Sequence, residues 1–337
     1  MDTRDIVVIG ASAGGLDPLR RIAADLEPEL PASVFVVLHI LPSQPSVLDG
    51  ILSRSGPLES TFALDGEPIR RGHIYVAPPD FHLMVDERAV RVVQGPPENR
   101  HRPSVDVLFR SAARFYGPRV IGVVLSGSLD DGTAGLVAVK VRGGVAVVQD
   151  PSEAYAADMP RSAMRYLDID HLVPADAIGP LLNRLTRERV DDGDAEPPTP
   201  EMVQETRIAR LDAAALESEE HVGTQSVFAC PDCSGVLWEI QEGDLIRFRC
   251  RTGHAYSPAT LLDAQEEGIE KALFMAIRSI EERLDLRRRL VEQARSRRLH
   301  RIADEWERRA SELEDASRAL RVLLQKKTPV PAEIPAR

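Results

Sequence analysis

DIVVIGASAGG, residues Asp5–Gly15, decides how this chain folds. Ile6–Ile9 is a β-branched apolar run with no polar face, the pattern of a strand buried on both sides of a parallel sheet. Leu16, Leu19, Ile22, Ala23 and Leu26 then recur at helical spacing. Gly10, Gly14 and Gly15 permit a tight strand-to-helix turn. Ser12 sits at its apex, beside a helix N-terminus whose backbone N–H groups are free. A dinucleotide loop would need G-x-G-x-x-G and an acidic residue ending the next strand. Here Ser12 stands for the middle glycine, and strand Val34–Leu38 runs into His39. A plain structural turn remains open. So does a nucleophile elbow, because Gly10-Ala11-Ser12-Ala13-Gly14 fits G-x-S-x-G.

Outward from this stretch, apolar strands alternate with helical patterns to about residue 190. Val120–Leu125, Val145–Gln149 and His171–Val173 read as strands. Val105–Tyr116, Thr133–Arg142 and Asp176–Arg187 read as helices, the first with Ser104 as N-cap. The alternation predicts a doubly wound, mostly parallel α/β sheet. Thr61–Val93 breaks the rhythm with short strands, His73–Val76 and a hairpin of His82–Val85 and Val90–Val93.

The 337 residues are 43% apolar, enough for a substantial core, with net charge −11, which speaks against nucleic acid as the main partner. No apolar run is long enough to cross a bilayer and none opens the chain as a leader, so a cytoplasmic location without membrane insertion is expected. Composition divides the chain into an α/β domain (1–189), an acidic Pro-rich linker with a short helix (190–226) and a small cysteine module (227–257). A helical hairpin or coiled coil (258–327) and a disordered tail (328–337) complete it. Ile302, Trp306, Ala310, Leu313, Leu320 and Leu324 are read as one stripe of the last helix, suited to self-association or docking.

Sites in open parallel sheets form outside the carboxyl ends of strands. Ser12 ends the first strand and His39 the second, while Asp130 and Asp131 follow Val120–Leu125. A hydroxyl nucleophile needs a base in reach and an acid behind that base. His171 is the competing base, but it opens a strand rather than closing one and should lie at the far edge of the sheet.

Several motifs in one order now carry a resemblance: Gly10–Gly15, His39, Ile74–His82, Asn99–Phe109, Gly127–Gly132 and Met159-Pro160-Arg161. Residues 5–187 resemble the catalytic domain of the chemotaxis protein-glutamate methylesterase (CheB-type) family. The resemblance implies Ser12 as nucleophile, His39 as general base and Asp131 as orienting acid. It implies hydrolysis of glutamate γ-methyl esters on chemoreceptors, sometimes with glutamine deamidation, and no catalytic cofactor. Backbone N–H groups near Ala13 and in the loop Gly127–Leu129 would hold the oxyanion. Two departures stand out: Ala13 where the family usually has Thr, and Ser128-Leu129 where it usually has Met-Gly. A receiver domain usually precedes such a domain; none is read here, so regulation by its phosphorylation is not expected. The alternative is an inactive esterase fold serving as a scaffold through its C-terminal modules.

All three cysteines fall in one module. Cys230-Pro-Asp-Cys233 and Cys250-Arg-Thr-Gly-His254 lie sixteen residues apart, a spacing that resembles a zinc ribbon. Cys230, Cys233, Cys250 and His254 would fill four positions around a structural Zn²⁺, leaving none open for chemistry. Phe228, Leu237, Trp238, Ile240, Leu245, Ile246 and Phe248 are its candidate core.

Overall fold

The computed structural model describes residues 2–40, 45–190, 196–218 and 221–327. They form two compact units, Met1–Leu261 and Leu262–Arg337. In chain order the first unit begins with β1 (Asp2–Thr3), β2 (Ile6–Ala11), α1 (Leu16–Asp25), β3 (Ser33–Leu38), α2 (Leu48–Ser55), β4 (Glu59–Phe62) and β5 (His73–Val76). The hairpin β6 (His82–Val85) and β7 (Val90–Val93) leads to α3 (Val105–Tyr116), β8 (Val120–Val124), α4 (Thr133–Val141) and β9 (Val145–Gln149). Then come α5 (Asp158–Tyr166), β10 (His171–Val173), α6 (Ala175–Leu185) and β11 (Arg189–Val190).

Seven strands form one sheet in the order β10-β9-β8-β2-β3-β5-β4, and every pair in it is parallel. The doubly wound expectation holds because successive residues of each strand face opposite layers. Ile6 and Val8 pack with Leu108, Phe109 and Ala112 of α3 on one face. Val7 and Ile9 pack with Leu19 and Ile22 of α1 and with Ile178 and Leu182 of α6 on the other. Each such fully buried side chain contributes about 2 kcal/mol. From β2 the chain moves outward to β3, on to the edge strand β4 and back in to β5, then crosses to β8 on the other flank of β2. Strand order therefore reverses between β2 and β8, where α/β sheets place their binding crevice.

Residues 190–226, expected as a linker with one short helix, instead carry α7 (Pro200–Ala209) and α8 (Ala213–Glu217). Met202 joins the core and Glu205 is fully buried. The apolar signal of α7 is weak because its inner face spends positions on Glu205 and Thr206, which bond rather than pack. The acidic run 191–195 and the tail 328–337 lie outside the described residues.

The module that follows is a four-stranded antiparallel sheet of β12 (Thr224–Ala229), β13 (Val236–Glu242), β14 (Leu245–Cys250) and β15 (Ala255–Tyr256). Leu237, Ile240, Leu245 and Phe248 are buried, but Phe228, expected in this core, is 39% exposed.

In the second unit α9 (Pro258–Ser296) and α10 (His300–Lys327) are two separate helices. Arg295–Glu307, Arg288–Glu314 and Arg321–Glu281 pair them antiparallel. Ile277, Leu284 and Val291 of α9, and Ala303, Ala310 and Ser317 of α10, are buried at seven-residue steps, the repeat of a coiled-coil seam. Ile302 is exposed and Ala303 takes its place in the expected stripe, while Ala310 is buried and Trp306, Leu313, Leu320 and Leu324 are partly buried as expected.

Candidate active site

Parallel pairing of β2 with β3 brings Ala11 opposite Leu38, so Ser12 and His39 leave neighbouring strand ends together. The turn after β2 is pinned by Ser12 N–H to the Ser126 carbonyl at 2.9 Å. Gly127 faces Ser12 so closely that a Cβ there would lie 2.8 Å from the Ser12 Cβ and 2.0 Å from the Met159 sulfur. His39 Nε2 lies 2.8 Å from Asp131 Oδ2, with both side chains almost fully buried.

The surroundings of Asp131 fix its charge. Burial opposes ionisation, but the hydrogen bonds from His39 and from the Asn99 amide, together with the neighbouring imidazoles, outweigh it and hold the carboxyl well below its usual range. Its oxygens also accept from Ser104 Oγ (2.9 Å), Val105 N (2.7 Å) and Asp106 N (3.2 Å). The carboxylate thus caps α3, where the helix dipole favours a negative charge. Ser104 holds the N-cap position as expected, but its hydroxyl donates to Asp131 instead of closing its own helix.

An ionised carboxylate only accepts, so His39 Nε2 donates to it, and in the neutral imidazole Nδ1 is then the nitrogen with the lone pair. That Nδ1 is buried and has no hydrogen-bond partner. Ser12 Oγ does not yet bond it; such contacts tighten when substrate binds. The His39 ring stacks on His101 at 3.7 Å and 8°. His101 Nδ1 donates to the Asn99 carbonyl at 2.7 Å. Burial, then the neighbouring His39, push His101 down to about 4, so it supports the ring without charge near neutral pH. His39, His101 and Asp131 also lie within metal-binding reach of one another. Imidazole lone pairs lie in the ring plane, and two nearly parallel planes 3.7 Å apart do not meet at one ion.

Asn99 is the residue that sequence reasoning missed. One amide hydrogen goes to Asp106 Oδ2 (2.7 Å) and the other to Asp131 Oδ1 (2.9 Å). Its only advance signal was its place in the Asn99–Phe109 stretch. His171 opens β10 at the sheet edge, three strands from β2, as expected of a residue outside the site. Of the loop read as oxyanion donors, Gly127 is removed: its N–H is spent on the Ala156 carbonyl at 2.9 Å.

The cysteine module brings its four candidate ligands together. Cys230 Sγ and Cys250 Sγ lie 3.7 Å and 3.5 Å from His254 Nδ1, and Cys233 Sγ lies 3.7 Å from Cys250 Sγ. Bonds of about 2.3 Å to sulfur and about 2.0 Å to nitrogen give tetrahedral edges of about 3.5–3.8 Å. These three edges match a tetrahedral ion, and all four donor atoms lie within 4.8 Å of one another.

A doubly wound sheet that gathers a serine, an imidazole and a buried carboxylate at neighbouring strand ends is the architecture of α/β hydrolytic enzymes. The CheB methylesterase family model matches residues 7–182, and the chain belongs to that family. A protein-glutamate methylesterase/protein-glutamine glutaminase of Anaeromyxobacter dehalogenans is 39% identical over 183 residues, 54% of each chain. A relative of the same description, qualified there as putative, from Leptospira interrogans is 35% identical over 188 residues, 56% of this chain and 97% of its own. The chain thus spans about half the length of the first relative and nearly all of the second. The crystal structure of the Thermotoga maritima CheB methylesterase catalytic domain superposes with a TM-score of 0.52 at 34% identity, covering 54% of this chain and 98% of that one. The family match ends at residue 182, so α7, the cysteine module and the helical pair lie beyond it. No helix among the described residues is long and apolar enough to cross a membrane.

Proposed function

We propose that this chain is a cytoplasmic serine esterase that removes methyl groups from glutamate γ-methyl esters of chemoreceptor or receptor-like proteins. One observation carries the reading: His39 is bonded to Asp131 through Nε2 and keeps a buried, unpartnered Nδ1 one strand from Ser12. In the proposed reaction His39 Nδ1 takes the Ser12 hydroxyl proton as Oγ attacks the ester carbonyl. The imidazolium, stabilised by Asp131, returns that proton to the departing methoxide, and methanol leaves. Water, deprotonated by the same nitrogen, then frees the glutamate carboxylate and restores Ser12. The Ala13 N–H and those of Ser128 and Leu129 are the proposed oxyanion donors. The same attack on a glutamine amide would release ammonia, in line with the second activity in the relatives' names.

Cys230, Cys233, Cys250 and His254 are proposed to hold a structural Zn²⁺, which would tie two hairpin turns together and supply no chemistry to the ester. Methanol release from methylated receptor tests the esterase. Ser12→Ala should lower it by roughly 10⁴-fold or more with unchanged thermal unfolding. Full turnover by that variant would overturn the assignment.

A further inference from the structure

The cysteine cluster and the candidate catalytic acid are joined through a short run of hydrogen bonds. His254 is followed at once by Ala255, whose carbonyl accepts from Asn99 N at 2.8 Å and whose N–H reaches the Pro97 carbonyl at 3.4 Å. Ser257 donates its N–H to Asn99 Oδ1 at 3.0 Å and its hydroxyl to Asp130 Oδ1 at 2.7 Å. With its oxygen held from the module side, the Asn99 amide directs both hydrogens inward, to Asp106 and Asp131. On the other flank Arg249, beside the ligand Cys250, donates to Glu98 at 2.8 Å and to Glu205. Gly253 lies against the same segment, at φ +108°, where a Cβ would sit 2.7 Å from Pro96 Cγ.

The clamped segment needs holding. Asn99 and Arg100 have φ of +51° and +67°, left-handed conformations that persist only where the surroundings impose them. Arg110 and Asp106 of α3 hold Glu98 and Asn99 from one side, and Arg249, Ala255, Ser257 and Thr260 hold them from the other. The cysteine module is small, with few buried apolar side chains, and such modules depend on a bound ion for their fold.

We propose that metal loading of the Cys230–Cys233–Cys250–His254 module controls the esterase, by seating Ala255 and Ser257 on Asn99 and so fixing Asp131 behind His39. Asn99 and Ser257 are positioning residues; neither touches substrate. The proposal rests on the hydrolase reading of Ser12. An emptied module releases the Asn99 oxygen, the amide loses its orientation, and Asp131 loses one of the donors that hold it ionised and in place.

The test uses the full chain, stripped with a chelator and reloaded with zinc ion. Three quantities are read: bound zinc, the rate at which a fluorophosphonate labels Ser12, and hydrogen exchange in residues 97–106. Stripping should slow labelling about tenfold and speed exchange in 97–106, leave β2, β3 and β8 protected, and be reversed by zinc. Asn99→Ala, which removes the amide that joins the Ser257 N–H to Asp131, should keep its zinc, label more slowly and no longer change its labelling rate when zinc is stripped. The proposal is overturned by a chain that takes up no zinc, or by labelling and exchange that ignore its removal. Absence of labelling in both states would break the esterase reading alone, and the exchange measurement would still judge the clamp.

Discussion

The parallel sheet and the cysteine module are held together by different forces. Around β2, every residue of the strand is buried and the two faces are dry aliphatic layers. Burial of this kind is non-directional and tolerates exchange of one apolar side chain for another. In the module, the apolar centre is small, and the most buried long side chains include Arg247 and Arg249. They are neutralised by Glu205, itself fully buried on α7, with Arg249 also on Glu98. Such pairs are directional and fail when one member is lost. The sheet therefore follows from composition along a few strands, whereas the module depends on single residues meeting across the chain.

The largest expected consequence of this contrast concerns the ion. Removing the zinc proposed for the module should cost it on the order of 10 kcal/mol of folding free energy. Hydrogen exchange should then rise across residues 224–256 and stay low in β2, β3 and β8. Equal loss of protection in both regions would erase the contrast. A smaller effect comes from Glu205→Ala, which leaves Arg247 and Arg249 without their shared carboxylate. It should lower stability by about 3–5 kcal/mol, read from denaturant unfolding; a change below about 1 kcal/mol would mean that the ion pairs are incidental.

The smallest sits where the two regions touch. Burial, which outweighs the Ser257 hydrogen bond, pushes Asp130 up to about 6. The folded chain then keeps this proton between about pH 4 and 6, where the unfolded chain has released it. Its contribution is complete below pH 4 and is lost as pH rises through 6. Asp130→Asn should therefore be more stable than the parent by about 2 kcal/mol at pH 7.5, with the advantage gone at pH 4. Parallel melting curves at the two pH values check it.

These forces also explain what could be read in advance. The bounds of α3 and β9 match the expectation residue for residue, because uninterrupted apolar spacing leaves no other register. β4 was not named: its Glu59-Ser60-Thr61-Phe62 is an edge strand with a polar face. Ser12, His39 and Asp131 were legible as candidates because strand ends announce themselves. Asn99 and Ser257 were not. Their meaning lies in a hydrogen bond between residues 158 positions apart, and a polar side chain does not declare a distant partner as an apolar stripe declares a core. Glu205 escaped for the same reason: a short helix was expected in this stretch, but its buried charge hid that the helix packs on the core.

The tight fit of Gly127 against Ser12 and Met159 divides the adjoining loop into two classes of position. Residue 127 has no tolerated alternative, since even a methyl group would displace the serine. Ser128, exposed, and Leu129, only partly covered, line the same rim and remain open to change. A change of side chain at those two sites leaves the nucleophile where it is, but Leu129, at φ +62°, must keep its backbone path for the N–H groups proposed as oxyanion donors to stay aimed.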